Sequence, residues 1–496
     1  MFFDSEFGLE EISRECEYAL GTGTEIVWGA PSGLQIVTIL PNTVYNPRED
    51  TDLLAESIFL RGRVEGKCLF EIGVGSGVVS LFSANLGWKV SGCDINPLAV
   101  ACTRELLKKN DIGFDSISEG GPGYENPSQW IGKGEYDLIV WNLPYLEIPK
   151  AGEPLLGPLE ESGLLNIENA DVRLLEAIEE FPSFLKDDGR IILICNDNED
   201  GKMLRSRWLR RGWASRIVKK TTMNDGEELY AIELWRPWSK RKLTLVDEIE
   251  STNTELIENG SFVGQYLRAN RQTSGRGRMG NSWDSTSEDF TASWLIYDGK
   301  TGELNSSVGE MQLRVALAIL DAICASSEQE LASQGIEQVR KIAGSGFTIK
   351  WPNDIWYNCD KISGVLVDSK SQGEKIRIVI GIGVNFSGKS TKEYLASSIT
   401  KSPLVNCSIV EFETIIDASI STHFENQEDG EETFKIPTNE LIKESVLQFV
   451  EFNGRPSFLG NDFEIVGIND FGHLEIIDSE SNPICVSDTR AIDWGI

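Results

Sequence analysis

The chain has 496 residues, 40% hydrophobic and 25% charged, with a formal net charge of −32. At roughly 100–200 residues per domain this predicts two to four domains, each apolar enough to bury a core. The acidity is spread through both halves, which argues against the basic footprint of a nucleic-acid binder.

The first residues, MFFDSEFGLEEISRE, lack the basic start and apolar run of a signal peptide. No apolar stretch approaches the ~20 residues needed to cross a bilayer, so the expectation is a soluble protein without a membrane partner. The nine cysteines include no Cys-x-x-Cys pair, which predicts neither a zinc site nor a disulfide framework and suits a reducing cytoplasm. With only two histidines, His423 and His473, a histidine triad is disfavoured.

Residues 67–100, KCLFEIGVGSGVVSLFSANLGWKVSGCDINPLAV, read as strand, glycine turn, helix and second strand, a βαβ unit. Apolar runs recur at YDLIVWNLPY (136–145) and RIILICND (190–197). Strands alternating with helices predict a Rossmann-like α/β domain over residues 1–238 with an open, mostly parallel sheet. The Pro-containing basic stretch RPWSKRK (236–242) reads as a linker.

EIGVGSG follows a strand and opens a helix, where glycine lets backbone approach a ligand. Asp94 ends the next strand, placed to accept from ribose hydroxyls. Asn142-Leu143-Pro144-Tyr145 ends a later strand. The Asn142 carboxamide oxygen and the following carbonyls are acceptors for an NH₂ group, and Tyr145 offers a stacking face. A planar amide or an adenine amino group suits such a site.

Taken in order, VYNPREDTDLL (44–54), EIGVGSGVVS, DINPLAV and NLPY resemble the S-adenosylmethionine-dependent glutamine-N5 methyltransferases of class I translation release factors, in their archaeal/eukaryotic branch. The resemblance covers residues 20–236 and implies a class I methyltransferase. In it Gly73, Gly75, Gly77 and Glu71 surround S-adenosylmethionine and Asp94 holds its ribose. Asp50 and Thr51 lie near its methionine end, while Asn142 and Tyr145 grip the substrate amide, Asn142 also bordering the cofactor. It further implies a release factor as partner and a small zinc-binding activator subunit. Leu143 stands where that family has a first proline. Asn-Leu-Pro-Tyr is also similar to the motif of rRNA adenine dimethyltransferases, so adenine is the alternative acceptor, and an inactive binding platform is a third reading. The acidic surface favours protein over RNA.

The second half predicts an α+β domain over residues 243–445, with helices on one face of its sheet. Its periodic helix is MQLRVALAILDAICASS (311–327), followed by strands FTIKW, ISGVLVDS and IRIVIGIGVNF. A tail at 448–496 with short β-like runs reads as a small β-barrel. Between the first strand and the helix lies QTSGRGRMGNSW (272–283), with Arg268 and Arg271 just upstream. Arginines in a glycine-rich loop predict a bound anion, since guanidinium groups and backbone N–H groups hold phosphate and carboxylate well.

ESTN (250–253), QTSGRGRMG, KWPND (350–354), KISGVLV and GIGVNF together resemble a biotin protein ligase from 245 to about 387, and the tail resembles that family's SH3-like cap. The resemblance implies ATP and biotin as substrates, biotinyl-5'-AMP as intermediate, and a lysine of a separate biotin carboxyl carrier protein as acceptor. By it, Arg276 and Arg278 close over the adenylate and Lys361 bridges biotin carboxylate and α-phosphate. Lys350 neutralises the triphosphate and Asp354 helps to hold Mg²⁺. Ser251, Thr252 and Gln272 bind the biotin head group, Gly364 admits the ring, and Trp283 and Asn385 meet adenine or ribose. Asn253, Gly275, Gly277 and Asn353 complete the set. The whole chain is thereby expected to be a fusion of two enzymes.

Overall fold

The computed structural model describes residues 21–124, 126–144, 169–223, 226–239, 241–386, 398–425 and 435–495. Among these, residues up to 204 and 215–236 form one compact unit, and residues 205–214 and those from 237 onward form a second.

The first unit opens with a hairpin, β1 (Thr24–Gly29) and β2 (Gln35–Leu40), and helix α1 (Glu49–Phe59). Then come, in chain order, β3 (Cys68–Ile72), α2 (Val78–Asn85), β4 (Lys89–Asp94), α3 (Pro97–Lys109), β5 (Ile117–Glu119), β6 (Tyr136–Asn142), α4 (Ala170–Glu180), β7 (Leu185–Asn196), α5 (Glu199–Arg210), whose residues from 205 count with the second unit, β8 (Ala214–Thr222), which lies in the first unit from residue 215, and β9 (Glu228–Trp235). The sheet order is β5-β4-β3-β6-β7-β9-β8, parallel from β5 to β7 and antiparallel between β7 and β9. Successive residues of the central strands, such as Leu138, Ile139 and Val140, are all buried, so both faces are covered, as a parallel sheet requires. Strand order reverses between β3 and β6, and in such sheets the crevice beyond the strands' carboxyl ends at that point is the usual ligand position. Proline at the first turn of α3 and the Asn96 side chain accepting from the Leu98 N–H start that helix directly after β4.

The second unit contains β10 (Thr244–Ile249), α6 (Thr252–Asn259), β11 (Tyr266–Gln272), β12 (Phe290–Lys300), α7 (Val308–Ser326), α8 (Ile336–Gly344), β13 (Phe347–Lys350), β14 (Asp354–Tyr357), β15 (Asp360–Gln372), β16 (Lys375–Val384), α9 (Ile409–Phe424) and α10 (Thr438–Asn453). The sheet order is β10-β11-β12-β16-β15-β14-β13; β10 and β11 are parallel and the other pairs antiparallel. Tyr266, Trp294, Ile378 and Ile380 join the main core with α7, α9 and α10. Their neighbours Leu267, Leu295 and Val379 point the opposite way and pack against Leu256 of α6. Helices therefore lie on both faces, where the pattern of the chain had suggested one. The short α6 escapes notice because eight residues hold too few apolar positions to show a period.

The C-terminal strands are Ser457–Phe458, Phe463–Ile468, Leu474–Asp478, Pro483–Val486 and Ile492–Asp493. The middle three form one antiparallel sheet and the outer two pair with each other, so the described strands do not join into a single barrel sheet. Helix α10 runs across residues 445–448, where the sequence had placed a domain boundary. Its buried stripe, Leu441, Ile442, Val446 and Phe449, belongs to the same core as Ile476, Val486 and Trp494. Among the described residues no helix is long and apolar enough to cross a membrane.

Candidate functional sites

In the first unit the register sets Ile72 level with Cys93 and with Trp141. One residue further on, Gly73, Asp94 and Asn142 stand side by side at the carboxyl ends of three adjacent strands. The Gly73 and Val74 N–H groups donate to the Cys93 carbonyl at 2.8 and 3.1 Å, and the Gly75 N–H donates to Asp94 Oδ2 at 2.9 Å. Asp94 Oδ1 accepts from the Asn96 N–H at 2.8 Å. Burial raises the Asp94 carboxyl, opposed by these two N–H donors. A carboxylate offers about four acceptor positions, so two remain for hydroxyl groups.

The three glycines differ in role. Gly73 and Gly75 have φ of +71° and +49°, and a side chain at either would meet nothing closer than 3.8 Å. Gly77 is buried with φ +78°, and a Cβ there would lie 2.9 Å from Thr103 Cα. It joins α2 to α3 and does not face open space. Glu71 is also withdrawn: it is 3% exposed and accepts from Ser80 Oγ at 2.5 Å. It supports the turn from behind and is not open to a ligand. Asp50 and Thr51 are buried at the start of α1, with Asp50 accepting from Tyr45 Oη at 2.8 Å and from the Thr51 N–H at 2.6 Å.

Burial, with the Asp94 charge adding and the Ser80 hydroxyl opposing, pushes the Glu71 carboxyl up to about 8. The folded protein therefore holds a proton that the unfolded chain releases in the ordinary carboxylate range. Stability is fullest below that range and declines as pH rises towards 8. Glu71→Gln removes this loss: the melting temperature of the variant minus that of the wild type should increase from pH 5 to pH 8.5. A constant difference would refute the assignment.

Asn142 is half-buried, and its Oδ1 is buried without a hydrogen-bond partner among the described residues. The Leu143 N–H donates to the Ile194 carbonyl at 3.1 Å, an anchor that a proline at this position would lack. Tyr145 lies outside the described residues.

In the second unit all but one of the expected residues line a single cavity of about 1410 Å³. Ser251 caps α6 through the Thr254 N–H at 3.4 Å. Gln272 Oε1 accepts from the Thr252 N–H at 2.8 Å and its hydroxyl at 3.1 Å. Ser293 Oγ reaches Thr252 Oγ1 at 2.7 Å and Asn253 Oδ1 at 2.5 Å. Lys361 Nζ pairs with Asp354 Oδ1 at 2.7 Å. Arg278 donates to Asn353 Oδ1 at 3.2 Å, while Asn353 Nδ2 donates to the Val365 carbonyl at 2.8 Å. Lys350 Nζ lies 5.4 Å from the Trp356 ring centre and 6.0 Å from that of Trp494. Burial lowers the Lys350 ammonium, Asp354 opposes this and Lys361 adds to it; burial likewise lowers Arg278. Arg276, more than half exposed, stands 3.6 Å from Asp368 and is only loosely held. Gly277 donates its N–H to the Asn281 carbonyl at 2.7 Å, and the Asn385 N–H donates to the Ile362 carbonyl at 2.8 Å.

The exception is Gly275, which does not line the cavity. Its carbonyl accepts from the Trp283 N–H at 2.9 Å, and a Cβ on it would lie 2.2 Å from the Trp283 carbonyl. It closes the base of the loop. Arg268 and Arg271 also stand apart from the anion cluster. Arg268 is buried against Glu413 at 2.7 Å, and Arg271 pairs with Glu248 at 3.0 Å.

The sequence reading missed Gly381 and Gly383 of β16. A Cβ on either would lie 2.2 Å from Asn253 Oδ1 or Trp283 Cε2, respectively. Gly364, paired with Gly383, has Trp283 Cζ3 at 3.3 Å and Lys361 Nζ at 3.4 Å from its own Cβ position. Three glycines thus clear one face of the sheet for the Trp283 ring and Asn253. Alternating glycines inside a strand, as in GIGVNF, are the signal that reveals such a close approach. The Trp283 indole N–H is buried without a partner among the described residues.

Asp354 is a single carboxylate, and no group of three or more His, Cys, Asp or Glu side chains suited to a metal occurs among the described residues. A lone carboxylate would hold Mg²⁺ only together with phosphate oxygens of a bound nucleotide.

Residues 246–385 match the profile of the biotin/lipoate A/B protein ligase family, and residues 57–145 match that of ribosomal protein L11 methyltransferase. The bifunctional ligase/repressor BirA of Bacillus subtilis is 30% identical over 142 residues, 28% of this chain and 38% of that protein. The human biotin–protein ligase is 30% identical over 166 residues, 32% of this chain and 21% of that protein. The chain thus spans less than half the length of either ligase relative. A putative protein N5-glutamine methyltransferase of Methanocaldococcus jannaschii is 28% identical over 194 residues, 39% of this chain and 92% of that protein. The chain therefore carries a region similar to the biotin/lipoate A/B protein ligases together with a methyltransferase-like region, in the manner of a fusion.

Proposed function

We propose that the second unit, with an SH3-like cap, is an ATP-dependent biotin–protein ligase and that the first methylates a glutamine amide of a protein. The ligase reading rests on one observation: Lys350, Lys361 and Arg278 share a cavity with the neutral Thr252–Gln272 hydrogen-bond pair. A carboxylate-bearing, otherwise uncharged substrate and a nucleotide phosphate suit that combination. Biotin's carboxylate oxygen attacks the α-phosphorus of ATP, and the bond to pyrophosphate breaks. A lysine amine of a biotin carboxyl carrier protein then attacks the acyl carbon, AMP leaves, and the amine proton passes to solvent. Negative charge gathers at the phosphorus in the first step, and fixed cations stabilise it. Lys361 spans carboxylate and phosphate, Lys350 meets the triphosphate, and Ser251, Thr252 and Gln272 bond the biotin head group. Mg²⁺, when bound, would take Asp354 and phosphate oxygens and neutralise them.

Arg278, held to Asn353 in the glycine-rich loop, retains the adenylate. Arg278→Ala should raise the biotinyl-5'-AMP found free in solution about tenfold, since an ordered loop is what shields such an intermediate. Chromatography of the filtrate after one turnover checks this, and retention equal to the wild type would defeat the role.

The methyl-transfer reading rests on Asn142 Oδ1 at the strand-order reversal, buried without a partner among the described residues. It accepts an amide N–H while the nitrogen attacks the methyl of S-adenosylmethionine; the N–C bond forms, the S–C bond breaks and the amide proton is lost to water. Gly73, Gly75 and Asp94 suit the cofactor, offering open backbone and spare acceptor positions. A translation release factor is the proposed acceptor, with a small zinc-binding activator subunit as proposed partner, in a cytoplasmic setting. The test offers labelled S-adenosylmethionine with a release factor and its partner subunit, and separately bare rRNA. Label on the factor's glutamine supports the reading. Label on RNA makes this an adenine site, and none on either leaves a binding platform.

A further inference from the structure

We propose that Asn196 is a positioning residue of the methyl-acceptor site, accepting a main-chain N–H of the polypeptide that carries the modified glutamine. This rests on the glutamine-methyltransferase reading above and extends it.

Asn142 is level with Ile194 on the adjacent parallel strand, so their side chains share a face. Asn196, two residues beyond Ile194, emerges on that face too. Asn196 and the turn residues Leu143 and Pro144 line one crevice in the first unit. Asn196 is only 6% exposed, and its Nδ2 donates to Glu227 Oε1 at 2.6 Å. That bond fixes which way the carboxamide points. Its Oδ1 is left buried, with no partner among the described residues. A buried acceptor left unpaired costs free energy, so an oriented one without a partner among the described residues, beside an acceptor turn, is suited to a donor brought by a ligand.

Two buried carboxamide oxygens at the ends of neighbouring strands ask for a guest with more than one N–H site. An adenine ring edge carries its N–H donors on one amino group only. A glutamine within a polypeptide carries its own NH₂ and the main-chain N–H groups around it. The pair therefore favours a polypeptide, and Asn196 sets how that segment lies while Asn142 meets the reacting amide.

The experiment uses the full chain with labelled S-adenosylmethionine and a release factor with its partner subunit as acceptor. For Asn196→Ala the KM for the acceptor should rise about tenfold or more, the cost of one lost buried hydrogen bond. The Kd for S-adenosylmethionine, read by calorimetry, should not change. The double variant Asn196→Asp with Glu227→Gln reverses the orienting bond yet keeps an acceptor oxygen, and should recover the wild-type KM. An unaltered KM in Asn196→Ala, as expected if Oδ1 merely holds a water, would overturn the inference alone. So would equal losses of acceptor and cofactor binding, which mark a purely structural role. A wild-type protein that labels no protein glutamine would bring down this inference together with the reading beneath it.

Discussion

Biotin-dependent release of pyrophosphate from ATP should fall about 10²–10³-fold when Lys361 becomes alanine, the usual cost of removing one preorganised charge-stabilising group. The protein should melt at an unchanged temperature. Lys361 is about one-third exposed, and its ion pair is with Asp354 at 2.7 Å. Ion pairs this open to solvent contribute at most about 1 kcal/mol to folding. Its position matters for another reason. Nζ lies where β14 and β15 bring Asp354 opposite Gly364, and Gly364 leaves room for the lysine and the Trp283 ring together. Measuring pyrophosphate release with and without biotin, alongside a thermal melt, separates chemistry from folding. Undiminished release would remove Lys361 from the reaction.

Asn142→Ala should lower methyl transfer by a similar factor of about 10²–10³ while leaving the Kd for S-adenosylmethionine within about tenfold of the wild type. The carboxamide oxygen is a preset acceptor with no protein partner to lose among the described residues, so its removal leaves no stranded donor there. Single-turnover rates at saturating cofactor, with binding measured independently, give the two numbers. Equal loss of binding and rate would make Asn142 part of the cofactor site only.

The glycine turn, Asp94 and the KWPND and GRGRMG segments were legible because their chemistry is local. Glycine spacing marks the turn, and strand ends mark the residues that converge beyond the sheet. Long-range pairing was not legible. Ser293 locks Asn253 from 40 residues away, and Arg268 finds Glu413 across 145. No spacing rule reports such partners, so Arg268 looked like a member of the anion cluster. Glu71 misled for a related reason: it sits next to the turn in sequence, yet the strand's alternation sends it inward to Ser80. Gly77 was grouped with two open glycines because its contact, Thr103, belongs to the next helix. Asn196 carries no motif; its Oδ1, buried without a partner among the described residues, sets it apart.

Helix α10 has a consequence for how the second unit comes apart. Its apolar stripe is shared by the helices packed on the seven-stranded sheet and by the C-terminal strands, and Trp351 Nε1 donates to the Gly472 carbonyl at 3.0 Å. Thr489 reaches the cavity wall itself. The last fifty residues are therefore not a detachable accessory. They should melt with the rest of the second unit in one transition, and a chain cut short within them should lose the cavity along with its tail.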